Sequence, residues 1–79
     1  MRDRFIFENR LKVARAERDL TQENLAALAG VTRQTIGSIE SGQYCPSAKL
    51  AFVLAKVLAK QVQDVFLLKE ARDEQQRGP

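Results

Sequence analysis

The sequence predicts an all-α domain of five short helices, and three observations lead there. Apolar residues recur at helical spacing from Leu11 to Leu58, and turn signals stand at Asp19, Gly30, Gly42 and Pro46. The segment Gln22 to Ser41, QENLAALAGVTRQTIGSIES, reads as two short helices held at a fixed angle by a glycine turn.

Asn9 to Arg18 carries Leu11 and Ala14 on one face, with Leu20 beyond, and turns Arg10, Lys12, Glu17 and Arg18 mainly towards water, as an amphipathic first helix does. The second and third helices begin at Gln22 and Arg33, behind Thr21 and Thr32, whose hydroxyls can accept from the first free amides. Neither start is a full capping box, because the third residue after each threonine is Asn24 or Thr35 instead of Glu or Gln, although Glu23 suits the positive helix end. Gly42 stops the third helix, Tyr44 and Cys45 form a loop, and Pro46-Ser47 opens a fourth helix that Ser47 can cap. Leu50, Ala51, Val53, Leu54, Val57 and Leu58 make this helix apolar over much of its circumference, which assigns it to the centre of the core. Lys49, Lys56 and Lys60 then read as its solvated stripe.

A short fifth helix fits near Gln63 to Phe66, followed by Leu67 to Glu70 in extended form. Phe5-Ile6-Phe7 is β-prone and too hydrophobic for a loose tail, so the two ends can pair as a small two-stranded sheet, although periodicity leaves strand and helix both open here. The expected domain is 1–71, with the motif at 22–41 and a polar, frayed tail over 72–79.

The central segment has the form of a helix-turn-helix, which places one helix in the major groove of DNA. Leu25, Ala29, Val31, Ile36 and Ile39 are apolar where crossed helices meet, Ala26 is small at the closest approach, and Gly30 stands where a left-handed residue is wanted. An ordinary αα-hairpin does not require all of these in one register. If the third helix enters the groove, its first turn and the next select Arg33, Gln34 and Ser38 as base contacts, with Gly37 leaving room for close approach. Arg can fork onto guanine and Gln onto adenine; phosphate is a close rival to guanine for Arg33. Gln22, beside free amides at the second helix start, is placed to bind a phosphate while its side chain supports Gln34. Thr32, Thr35, Gln43 and Tyr44 are further candidates for backbone contacts, Tyr44 being equally suited to packing beneath its loop.

Arg15 lies four residues after Leu11, and Glu40 four after Ile36, so both charges face inward. An unpaired buried charge is expensive, and the economical solution is an ion pair between them.

Composition narrows the remaining classes. With 79 residues the chain suits one domain with a modest core and leaves no room for a separate catalytic cleft or ligand-sensing domain. The 44% apolar content argues against wholesale disorder, and no run approaches the ~20 apolar residues of a membrane span. The polar N-terminus is unlike a signal peptide, and Cys45 is the only cysteine, so no internal disulfide forms and a reducing cytoplasm fits. Cys45 reads as a small loop residue. A net charge of +3 favours a polyanion without identifying one. With no histidine, the usual Ser/His/Asp, Cys/His and zinc sites are absent, and the glycines are too dispersed for a nucleotide loop. Glu17, Asp19 and Glu23 read as helix-end and surface charges, so neither a metal nor a cofactor is expected, and no small-molecule ligand is evident.

Asn9 to Phe66 resembles the Cro-type, phage-repressor-like (XRE) helix-turn-helix family, especially its small stand-alone bacterial members. The signatures are Arg15, Leu20-Thr21-Gln22, Leu25-Ala26, Ala29-Gly30-Val31-Thr32, Ile36, Ile39-Glu40, Gly42 and Pro46-Ser47. The resemblance implies a compact five-helix domain, usually homodimeric, that represses or activates transcription; with no enzyme signature in the sequence, no catalytic activity is expected. It also implies that Gln22, Arg33, Gln34 and Ser38 face DNA and that Arg15 and Glu40 form an ion pair. The smallest members further resemble this chain in pairing their ends as strands. Two departures are Gly37 within the recognition helix and Gln43 where a basic residue often sits.

One recognition helix reads too few base pairs to be selective in a genome, so a two-fold homodimer on an inverted-repeat operator in double-stranded DNA is expected. Val65, Phe66, Leu67 and Leu68 are its expected interface, supported by the Phe5 to Phe7 strand. The rival from another class is an antitoxin or adaptor that offers this surface to a foreign protein, with DNA binding secondary.

Overall fold

The computed structural model describes residues 4–70. In chain order the elements are β1 (Phe5–Asn9), α1 (Leu11–Glu17), α2 (Gln22–Ala29), α3 (Arg33–Glu40), α4 (Ala48–Val57), α5 (Val62–Val65) and β2 (Phe66–Glu70). The five helices and the terminal sheet are those the sequence predicts. The polar tail expected from Arg72 lies outside the described residues.

Helix boundaries follow from local chemistry. Asn9, expected to open α1, is instead the last residue of β1; its Oδ1 accepts from the Leu11 amide at 3.0 Å, so the helix starts two residues later. At α2 the capping box is complete after all. Thr21 Oγ1 accepts from the Asn24 amide at 2.9 Å, and Asn24 Oδ1 accepts from the Thr21 amide at 3.2 Å. Asn24 is short but carries the same amide oxygen as Gln, and here that oxygen closes the box. Thr32 Oγ1 accepts from the Thr35 amide at 3.1 Å, and Ser47 caps α4 by accepting from the Leu50 amide at 3.1 Å.

Gly30 ends α2 at φ 77°, a left-handed conformation that lets the Val31 amide return to the Ala26 carbonyl at 2.9 Å. Asp19 adopts φ 56° after α1, in keeping with its turn signal. Ala59 adopts φ 57° after α4, and nothing in its side chain announces this. The Lys60 amide there reaches the Ala55 carbonyl at 2.9 Å, which closes the helix at a cost of about 1–2 kcal/mol for the left-handed alanine.

The core is one cluster. Leu11 and Ala14 of α1, Leu25 and Ala26 of α2, Ile36 and Ile39 of α3, and Ala51, Leu54 and Ala55 of α4 meet Leu58, Val65 and Phe66. The central place of α4 is therefore as expected, although Val53 and Val57 are only half-buried and Ala55 takes a core position. Lys49 and Lys56 are solvated, whereas half-buried Lys60 bonds Glu17 at 2.9 Å. That hydrogen bond and the ammonium charge hold the Glu17 carboxyl below its ordinary range.

β1 and β2 pair antiparallel, with Phe5 opposite Glu70, Phe7 opposite Leu68 and Asn9 opposite Phe66. Directly opposed residues share a face, so Phe5, Phe7, Phe66 and Leu68 lie on one side, while Ile6, Glu8, Leu67 and Lys69 lie on the other. Phe7 stacks on Phe66 with ring centroids 5.7 Å apart. Arg4 and Glu70 pair near the far end.

This arrangement corrects the expected subunit interface. Val65 is fully buried and Phe66 nearly so, because α5 turns both into the core before β2 departs; neither can offer surface to a second chain. Leu67 is half-buried. The apolar surface of the sheet consists instead of Phe5 (52% exposed), Phe7 (45%) and Leu68 (66%) on one face, with Ile6 on the other.

Candidate nucleic-acid interface

Ile36 and Ile39 are buried, which fixes the rotation of α3 and leaves the opposite side of the helix outward. Arg33 and Gln34 are consequently exposed, and Ser38, one turn after Gln34, is half-buried. Gln34 and Ser38 form a ridge between two shallow depressions. Thr32, Thr35 and Tyr44 line the first, and Arg33, Gly37 and Gln43 line the second. All three residues expected to meet bases thus share one surface with four of those expected to meet phosphate. Tyr44 is exposed there, not packed beneath its loop.

The loop after α3 is shaped to keep Gln43 and Tyr44 at this surface. Gly42 takes φ 84°, and the Gln43 and Tyr44 amides both donate to the Ser38 carbonyl, at 2.9 and 3.1 Å. Gly37 has a helical backbone, and a Cβ there would meet only Gln22 Nε2, at 3.8 Å. The position has room for alanine within the fold.

Gln22 is where expectation and structure part. Its side chain supports Arg33, not Gln34: Arg33 Nη1 donates to Gln22 Oε1 at 2.9 Å. The other end of the same amide, Nε2, donates to Glu40 Oε1 at 3.0 Å. Glu40 in turn accepts from Arg15 Nε at 2.7 Å and Nη2 at 3.3 Å, while Arg15 Nη1 donates to the Leu20 carbonyl at 2.8 Å. The side chains of Arg15 and Glu40 are only 15% and 6% exposed, so the two inward charges do meet, as a forked pair. Arg15, Glu40, Gln22 and Arg33 therefore form one continuous chain of hydrogen bonds from α1 to the outer end of α3. Helical periodicity pointed to its first two members and could not reveal the others, because the Gln22 contacts cross between helices.

Asn9 was missed altogether as a positioning residue. Its Nδ2 donates to the Ile39 carbonyl at 2.9 Å, tying the sheet to the end of α3. Among the described residues, no buried side-chain nitrogen or oxygen lacks a partner, and no group of three or more His, Cys, Asp or Glu could hold a metal ion.

Residues 11–65 match the helix-turn-helix family. The chain belongs to that family. Among similar proteins, an HTH-type transcriptional regulator of Methanocaldococcus jannaschii is 49% identical over 63 residues, covering 80% of this chain and 96% of that one. The HTH-type transcriptional regulator YgzD of Bacillus subtilis is 43% identical over 63 residues, with the same coverage of both chains. Of solved structures, the restriction-modification controller protein C.AhdI from Aeromonas hydrophila superposes with a TM-score of 0.67 at 34% identity, over 70% of this chain and 80% of that one. The helix-turn-helix match spans α1 to α5, starting after β1 and ending before β2, so the sheet lies outside it. Within the matched region, the Gly30 turn joins α2 to α3.

Proposed function

We propose that this helix-turn-helix protein is a sequence-specific regulator of transcription that binds double-stranded DNA as a two-fold homodimer and represses from an inverted-repeat operator. The observation that carries the reading is α3 itself, a helix with Ile36 and Ile39 locked into the core and Arg33, Gln34 and Ser38 presented outward at one-turn spacing. Arg33 and Gln34 are the residue types that fork onto guanine and adenine in the major groove. Thr32, Thr35, Gln43 and Tyr44, beside the same ridge, and Gln22, beside the α2 amides, hold the backbone and fix register. The regulators of M. jannaschii and B. subtilis named above support the same role. The protein acts in the cytoplasm, beside the chromosome, without catalysis of its own.

Dimerisation follows from the arithmetic of recognition, since a single helix reads too few base pairs to select one site in a genome. The sheet face bearing Phe5, Phe7 and Leu68 is an exposed apolar surface that could serve it. The same face is what an antitoxin or adaptor would offer a foreign partner, and a monomeric protein in solution would favour that second reading. Selection of bound duplexes from a random library tests the proposal. It should return an inverted repeat with half-sites one helical turn, ~34 Å, apart. A library that returns no shared sequence would contradict it.

A further inference from the structure

We infer that Glu40, whose side chain is only 6% exposed and which reaches Arg33 through Gln22, is a positioning residue for base readout because it sets which end of the Gln22 amide faces outward, and so where the Arg33 guanidinium rests. A carboxylate can only accept hydrogen bonds. With Arg15 holding the Glu40 carboxylate in place by two bonds, the Gln22 amide must turn its nitrogen inward to Oε1, at 3.0 Å. Its oxygen is then compelled to face outward. An outward acceptor selects a donor, and Arg33 Nη1 supplies it at 2.9 Å.

The consequence is that a long, exposed side chain is held before DNA arrives. Ordering a rotamer-rich arginine on binding costs entropy, and part of that cost is met in the free protein. With Nη1 on Gln22, the Nε and Nη2 edge of the guanidinium remains for a base, one of the two edges able to make paired hydrogen bonds. The inference rests on Arg33 as a base contact and adds the origin of its orientation.

Glu40→Gln makes the argument testable by reversing the polarity of the chain. Arg15 is a donor only and claims the oxygen of the new amide, so the new nitrogen faces Gln22. Gln22 must then turn its oxygen inward and its nitrogen outward, donor against donor at Arg33. A second variant, Gln22→Met, keeps the side-chain length and removes the amide at a half-buried position, which covers the case in which Glu40→Gln does not fold.

The experiment measures affinity for the selected operator and for random duplex, at one fixed salt concentration, for each variant with Arg33 present and with Arg33→Ala. Taking the ratio of the two affinities cancels the general gain from removing a negative charge and the general loss of any Gln22 phosphate contact. With Arg33 present, Glu40→Gln and Gln22→Met should each lower the ratio about five- to tenfold, short of losing a whole base contact. In the Arg33→Ala background neither should lower it further. A ratio unchanged with Arg33 present, or falling equally in both backgrounds, would overturn the inference. If Arg33→Ala alone leaves the ratio unchanged, the base-contact reading has failed first and the inference falls with it.

Discussion

Asn9 and Ile39 are joined by a hydrogen bond from Asn9 Nδ2 to the Ile39 carbonyl, 2.9 Å long, although they lie 30 residues apart. The same Asn9 side chain accepts from the Leu11 amide through Oδ1. One amide thus fastens the end of β1, the start of α1 and the last turn of α3. Asn9→Ala should cost about 1–3 kcal/mol, because the Leu11 amide loses its partner and the Ile39 carbonyl keeps only its bond from the Gly42 amide. Urea unfolding measures this directly, and a loss under 0.5 kcal/mol, roughly the scatter of surface substitutions, would mean that water replaces both bonds.

Arg15→Ala and Glu40→Ala should each destabilise by roughly 3 kcal/mol, the lower end for a broken buried pair, since the side chains retain 15% and 6% of their exposure. The double mutant should lose less than the sum of the two. Strict additivity in a denaturant cycle would show that the pair contributes nothing as a pair.

Gly37→Ala should separate stability from function. The fold has room for the methyl group, and alanine is favoured over glycine in a helix by about 1 kcal/mol, so the melting midpoint should rise. Operator affinity should nonetheless fall, since Gly37 lines the depression between Arg33 and Gln43 where α3 is proposed to close on DNA. A variant that is both more stable and equally tight would remove any role for Gly37 in that approach.

Leu68→Glu should shift the protein from dimer to monomer in sedimentation at micromolar concentration while leaving the fold intact, because Leu68 is 66% exposed. Phe66→Glu is no test of assembly. Phe66 belongs to the core, and a charge there would unfold the protomer. Wild-type protein that sediments as a monomer and binds a single asymmetric half-site with full affinity would exclude the dimer.

Much of this was legible in the chain because the signals are steric and local. Gly30, Gly42 and Asp19 mark left-handed turns, Thr21, Thr32 and Ser47 mark helix starts, and the spacing of Leu11 with Arg15 and of Ile36 with Glu40 turns two charges inward. What stayed hidden depends on pairs brought together by the fold. The Gln22 amide, expected against Gln34, spans Glu40 and Arg33, and Asn9 reaches Ile39 across the domain. Phe66 has the composition of an interface residue and becomes core because α5 is a single turn that swings it inward. Left-handed Ala59 carries no side-chain signal at all.

The central claim is that the outward side of α3 reads bases. Arg33→Ala and Gln34→Ala, each measured against the selected operator and random duplex at one salt concentration, test it most directly. Each substitution should cost about 1–3 kcal/mol on the operator and much less on random DNA, because base contacts specify whereas phosphate contacts position. Equal losses on both DNAs would make these residues phosphate clamps, and no loss on either would contradict α3 as the reading helix.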